Sequence, residues 1–262
     1  MRHAIRDRRR LAAALSAIAF AAACAEGPRP EGAASAGLDG RRTLFEASDA
    51  VERDWQVVRL FGDPEFAVAA VGDEPALRLA AAGGAGGLGR WLDLDPEACP
   101  AVEWTWRVEA LPETADLGSD AAEDVAAAIS FTFGDPGSLT LPRPRPTLRY
   151  VWATETDSAG SVVASPYFPG YLRSLVVRSG PEGLGAARTE RRDLLADFER
   201  AFGEPPEDPL RLIVLYVDSD HGESPLESFF FDAHALCAEA VEEDDGLPMI
   251  GGAAVSAGSR RG

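Results

Sequence analysis

Lysine is absent from this 262-residue chain, so all 25 of its basic residues are arginine. Against them stand 43 acidic residues, giving a formal net charge of −18. A surface of that sign repels phosphates instead of neutralising them, which argues against DNA, RNA and anionic lipid head groups as partners. Histidine is nearly missing too: beyond His3 near the N-terminus there are only His221 and His234. Thirteen residues apart and with no cysteine pair beside them, they miss the usual zinc-ligand spacings. No Gly-x-Ser-x-Gly elbow occurs, so a serine nucleophile of that type has no place to sit. Long apolar runs are lacking as well. The run Leu11 to Ala23 is too short to span a hydrocarbon core.

That short run has another use. Arg2, Arg6, Arg8, Arg9 and Arg10 precede it and small residues end it, the arrangement of a secretory signal peptide over 1–23. Ala21-Ala22-Ala23-Cys24 resembles a bacterial lipobox, which predicts lipidation of Cys24. The expected address is the periplasmic side of a bacterial envelope, lipid-anchored, with membrane contact through the anchor only. The alternative is cleavage near Ala23 and a soluble secreted protein. Residues 24–43 read as a Gly/Ala/Pro-rich tether, 44–238 as the folded domain and 239–262 as a disordered tail. Export leaves Cys99 and Cys237 as an even pair in an oxidising compartment. If the strands that carry them are antiparallel neighbours, the two can form a disulfide. Otherwise they are buried thiols.

What is present in quantity is alternation. Val102, Trp104, Trp106, Val108 and Ala110 alternate with Glu103, Thr105, Arg107 and Glu109, which predicts a half-buried strand with both tryptophans on one face. After a polar turn the pattern resumes at Val125, Ala127, Ile129, Phe131 and Phe133. Further strands are expected at Asp54–Leu60, Ala76–Leu79, Arg90–Leu94, Leu148–Trp152, Tyr171–Arg178 and Phe229–Cys237. Leu210–Val217 is almost continuously apolar and reads as a central strand covered on both faces. Gly84-x-Gly86-x-x-Gly89 matches the dinucleotide fingerprint, but alternation and not a helix follows it. The stretch Gly83–Gly89 is therefore read as a hairpin loop. Leu141–Pro146 alternates proline with arginine and reads as an extended loop. One helix is expected, over 189–202, from Leu194, Phe198 and Phe202 with Gly203 as its stop. About nine short strands and one helix predict an all-β fold, a two-sheet β-sandwich of jelly-roll type.

Several blocks in this order resemble the uncharacterised bacterial domain-of-unknown-function family 3047. They are Trp104-x-Trp106-Arg107-Val108, Glu123-Asp124, Tyr150-Val151-Trp152, Glu190-Arg191-Arg192-Asp193 with Asp197, Ala201-Phe202-Gly203-Glu204-Pro205, Asp218-x-Asp220 and Asp232. The resemblance covers roughly 45–236 and implies domain limits; it implies no activity. Family members carry an Ala-x-Arg in the strand after the acidic pair, and here Ala127 and Ala128 stand where that Arg would fall. The Arg–carboxylate pair of the family is therefore not expected from that strand. A second likeness is to the galactose-binding-like jelly rolls of carbohydrate-binding modules. In those a starting Phe-Glu and a closing Asp hold a structural calcium, and Phe45-Glu46 and Asp232 stand in matching places. Two solvated acids at strand ends are the alternative.

The candidate ligand-binding residues are Glu123, Asp124, Trp152, Asp218, Asp220 and His221. Acids leaving a central strand into a Gly-containing loop form polar rims or cation sites; alternatively they cap their own turn. Trp104, Trp106, Tyr150 and Trp152 stack on sugars if they line a concave face, although inward alternation favours the core. The leading expectation is a non-catalytic module for a saccharide or envelope glycan, by analogy of fold. The alternatives are a carbohydrate-active enzyme using Glu123, Asp124, Asp218 or Asp220 as paired carboxylates, and a structural envelope lipoprotein.

Overall fold

A computed structural model describes residues 38–47, 55–138 and 143–238. The proposed signal peptide, Cys24, most of the tether and the C-terminal tail lie outside those residues, as do Leu141 and Pro142. No helix among the described residues is long and apolar enough to cross a membrane.

The strands are β1 (Gly40–Glu46), β2 (Gln56–Phe61), β3 (Glu65–Val71), β4 (Glu74–Ala81), β5 (Ala85–Leu94), β6 (Ala101–Val108) and β7 (Val125–Phe133). There follow β8 (Thr147–Ala153), β9 (Val162–Ala164), β10 (Leu172–Ser179), β11 (Arg188–Asp193), helix α1 (Leu194–Phe202), β12 (Leu210–Asp218) and β13 (Leu226–Cys237). They build two sheets. One runs β11-β6-β13-β4-β3, with β1 also paired to β13; the other runs β2-β5-β12-β7-β8-β10-β9. Pairing is antiparallel except between β8 and β10, which are parallel. The fold is the expected two-sheet β-sandwich with one helix.

The sheets meet through the alternating faces. Trp104 and Trp106 from the first sheet pack on Tyr150 and Trp152 from the second, with ring centroids 5.1 and 6.0 Å apart. All four are almost wholly buried. Trp152 donates its indole N–H to the Gly180 carbonyl at 3.0 Å, so its one polar atom is satisfied inside the core. Trp152 is thus a core residue and not a ligand contact, which corrects its place among the candidates. The inward periodicity that β8 shares with β6 is the reason.

Four local expectations are revised. The strand after the polar turn is not half-buried: β6 and β7 belong to opposite sheets, and β7 is buried along its whole length. Residues 188–193 are strand, not helix, because they add to the free edge of β6 (Glu190 opposite Trp104). The helix starts only at Leu194, where the Asp193 side chain accepts from Ala196 N at 2.9 Å. It ends at Gly203 with φ 88°. The glycines at 86, 87 and 89 lie within β5, not in a loop. A Cβ on Gly87 would come within 2.4 Å of the Leu215 carbonyl oxygen, so neighbouring backbones approach there as only glycine allows. The folded region begins earlier than Leu44, since Gly40–Arg42 already pair with Cys237–Ala235.

Cys99 and Cys237 are joined, with S–S 2.00 Å. The register explains the meeting: Ala101 of β6 stands opposite Leu236 of β13, so the residues just beyond them are brought together.

Candidate functional site

The outer face of the seven-stranded sheet forms a cleft of about 620 Å³. Cross-strand register fixes its floor. Leu212, Thr132, Thr147 and Leu172 stand in one row; Val214, Ser130, Arg149 and Ser174 form the next. Tyr216 opposite Gly87, then Asp218 opposite Ala85, continue it. All are odd or even partners of residues that face the core, so one pleat supplies both core and cleft. This revises the reading of β12. Its unbroken apolarity reflects a core face (Ile213, Leu215, Val217) and a cleft wall (Leu212, Val214, Tyr216), not two buried faces.

One end of the cleft is acidic. Asp218 terminates β12, and its carboxylate accepts from Tyr216 OH at 2.7 Å and from Asp220 N at 3.2 Å. Burial pushes the Asp218 carboxyl up to about 7, the Tyr216 bond opposes the shift and the neighbouring Asp220 charge reinforces it. Burial, with the Asp218 charge behind it, also pushes the Tyr216 hydroxyl well above its ordinary value. Asp220 lies 2.7 Å from His221 Nδ1. Burial works against the imidazolium, but the Asp220 and Asp124 charges outweigh it and raise the His221 pKa. The other imidazole nitrogen meets Tyr167 OH at 3.3 Å.

Asp124 is placed differently. It is buried behind the cleft wall and accepts from the backbone N–H groups of His221 (3.1 Å) and Gly222 (2.7 Å). It therefore pins the 218–224 turn to the acidic loop and does not line the cleft. Asp124, Asp220 and His221 still offer ligand atoms within 4.8 Å of one another. Ser219 holds the same turn by donating to Ser224 O at 2.6 Å while accepting from Gly83 N at 3.1 Å. Glu123, in contrast, lines the cleft and is paired with Arg149 across its floor. Arg149 also donates to Ser174 Oγ at 2.8 Å. The Arg–carboxylate pair that Ala127 and Ala128 cannot provide is thus supplied by β8. Of the sequence candidates, Glu123, Asp218, Asp220 and His221 converge on the cleft, Asp124 supports it from behind and Trp152 is elsewhere.

The cleft's rim went unread in the sequence. Leu60 and Phe61 of β2 form one side, and Tyr167, Phe168 and Tyr171 from the β9–β10 loop form the other. Phe61, Tyr167, Phe168 and Tyr171 are each about half exposed. Trp91 stands opposite Leu212 on the same sheet face and is also exposed. The segment Pro166-Tyr-Phe-Pro169-Gly170-Tyr171 carried a usable signal. Prolines and glycine exclude a strand interior, so three aromatics there must sit on a loop, where they are exposed.

The proposed calcium pair is brought together: Glu46 and Asp232 are register partners on β1 and β13. Asp232 is already bonded to His234 Nε2 at 2.9 Å. Two carboxylates supply part of the six to eight oxygens calcium takes; backbone carbonyls and water would have to complete the set.

Solved structures with a similar scaffold include the family 11 carbohydrate-binding module from Clostridium thermocellum in complex with a β-1,3-1,4-mixed-linked tetrasaccharide. It is 8% identical, with 77% of this chain and 98% of that chain covered and a TM-score of 0.43. The xyloglucanase domain of NopAA, a type three effector from Sinorhizobium fredii, is 10% identical over 69% of this chain and 92% of that one, at TM-score 0.37. No curated protein matches the chain. A family model covers residues 53–234, which hold every strand but β1 and the end of β13, together with the acidic turn and the aromatic loop: the chain belongs to DUF3047, a protein family of unknown function.

Proposed function

We propose that this protein is exported, anchored through a lipid on Cys24, and binds a saccharide or envelope glycan in the cleft without altering it. The observation that carries the reading is the pairing of an exposed aromatic rim with a polar floor. Phe61, Tyr167, Phe168 and Tyr171 offer flat faces suited to the apolar side of a sugar ring. Ser130, Thr132 and Thr147 below them, with Asp220 and His221 at the end, offer hydrogen bonds to hydroxyls. Solvent-exposed aromatics lining a concave surface cost free energy unless something covers them. The test is a glycan array followed by affinity electrophoresis. Tyr167→Ala combined with Phe168→Ala should abolish retardation while leaving the melting temperature nearly unchanged, and retention of binding would sink the proposal. The anchor is tested separately: Cys24→Ser should move the protein from the membrane to the soluble fraction.

A second reading, a carbohydrate-active enzyme, is favoured by one observation. Asp218 is held near the protonation state of a general acid, with Asp220 two residues on. Such an enzyme releases reducing sugar from its substrate, and Asp218→Asn should stop the release. A structural calcium at Glu46 and Asp232 is part of the proposal as well. EDTA should then lower the melting temperature, and no change removes the ion.

A further inference from the structure

The cleft is electrically polarised, and that polarity bears on which saccharide it takes. At the end opposite Asp218, Arg143 and Arg145 join the lining. Arg145 lies two residues before Thr147, and Asp218 lies six residues beyond Leu212 in the matching row. At ~3.3 Å per residue, the two ends are separated by roughly 20 Å or more along the strands. The cationic end is not neutralised from within the cleft. Asp135, which is absent from the lining, is 3.5 Å from Arg143, and both side chains are largely exposed. Arg145 spends its Nε–H on the Asp135 backbone carbonyl at 3.1 Å, and no carboxylate among the described residues pairs with its guanidinium. Asp208 lies beside Gly134, outside the lining. Arg149, by contrast, is already committed to Glu123.

We propose that the cleft takes an acidic oligosaccharide, seating one uronate carboxylate against Arg143 and Arg145 and laying neutral rings toward Asp218 and Asp220. A planar guanidinium binds a carboxylate through two parallel hydrogen bonds, and low-dielectric walls strengthen the attraction. The chain's net charge of −18 does not forbid this, because charges beyond about 8 Å are screened at physiological salt. The acidic end does forbid a second carboxylate there, so a ligand with one uronate fits and a polyuronate lies badly. The aromatic rim between the ends stacks the neutral rings. The inference rests on the saccharide reading above and names its ligand class.

The experiment that tests it is an array of oligosaccharides bearing one uronate, each printed beside its carboxyl-reduced counterpart, read with the full-length protein. At least one acidic member should bind about tenfold or more tighter than its reduced partner. Arg143→Gln with Arg145→Gln should erase that difference by weakening the acidic member, and Tyr167→Ala should weaken both. High salt should weaken only the acidic member. Equal binding of acidic and reduced forms, or no effect of the arginine changes, overturns the uronate inference and leaves the saccharide reading intact. Tighter binding of a sulfated galactan than of every uronate overturns the carboxylate in favour of another anion. No binding by any member withdraws both readings.

Discussion

Separating Glu123 from Arg149 tests the energetics of the cleft floor most directly. Both residues are only 5% exposed, and the pair links the loop before β7 to the middle of β8. Glu123→Gln leaves the Arg149 charge buried with Ser174 as its remaining partner. Arg149→Met leaves the Glu123 carboxylate buried without a cation. Removing one member of a buried pair costs about 3–5 kcal/mol, since the survivor keeps its desolvation penalty and loses its compensation. The double variant Glu123→Gln with Arg149→Met carries no charge at the site, so it should recover much of that loss. Urea unfolding followed by fluorescence of the core tryptophans, with the disulfide intact, reads each corner of the cycle. With a urea slope of about 2 kcal/mol per molar, each single change should lower the midpoint by roughly 2 M, and the coupling energy should be about 2 kcal/mol or more. Single variants within about 0.5 kcal/mol of wild type, or a double variant equal to the sum of the singles, would refute the reasoning.

Three further outcomes are expected. Asp218 is raised to about 7 by burial, so the folded state holds its proton more tightly than the unfolded chain. Its contribution to stability is complete below about pH 4 and is lost as pH rises toward 7. Asp218→Asn should therefore gain more on wild type in denaturant midpoint at pH 8 than at pH 5, and least below pH 4; an unchanged difference across that range counts against the shift. The His221 imidazole, raised by Asp220 and Asp124 against the effect of burial, should titrate lower by NMR in Asp220→Asn, and no movement rejects Asp220 as its partner. The Cys99–Cys237 bond spans 138 residues, so loop-closure entropy predicts a loss of about 5 kcal/mol on reduction; a denaturant midpoint unmoved by reductant contradicts it.

Much of the sandwich was legible because burial on one face imposes a period of two. Trp104, Trp106, Tyr150 and Trp152 announced their inward faces, and the structure stacks them between the sheets. Leu194, Phe198 and Gly203 similarly fixed the helix and its end. The failures have equally physical causes. Thr189–Asp193 has good helix formers, but pairing with the open edge of β6 outweighs a propensity worth a few tenths of a kcal/mol per residue. The glycines of β5 looked like a loop because the reason for them, close approach of neighbouring backbones, is not local. The site was half legible. The acids before β7 and after β12 stood out, whereas Arg149 looked like an ordinary outward residue until register placed it beside Glu123.

The sequence alone determined the alternating faces, and with them the two-sheet core, since every strand must hide its apolar side from water whatever its neighbours are. It also determined the acidic net charge. The tertiary structure alone decided that two acidic turns 90-odd residues apart meet, with Asp124 holding the backbone of His221 and Gly222. It alone decided that the Pro166–Tyr171 aromatics rise over the same floor, with Arg143 and Arg145 at its far end. Strand order and register set those meetings, and both depend on pairings between distant segments that no local pattern encodes.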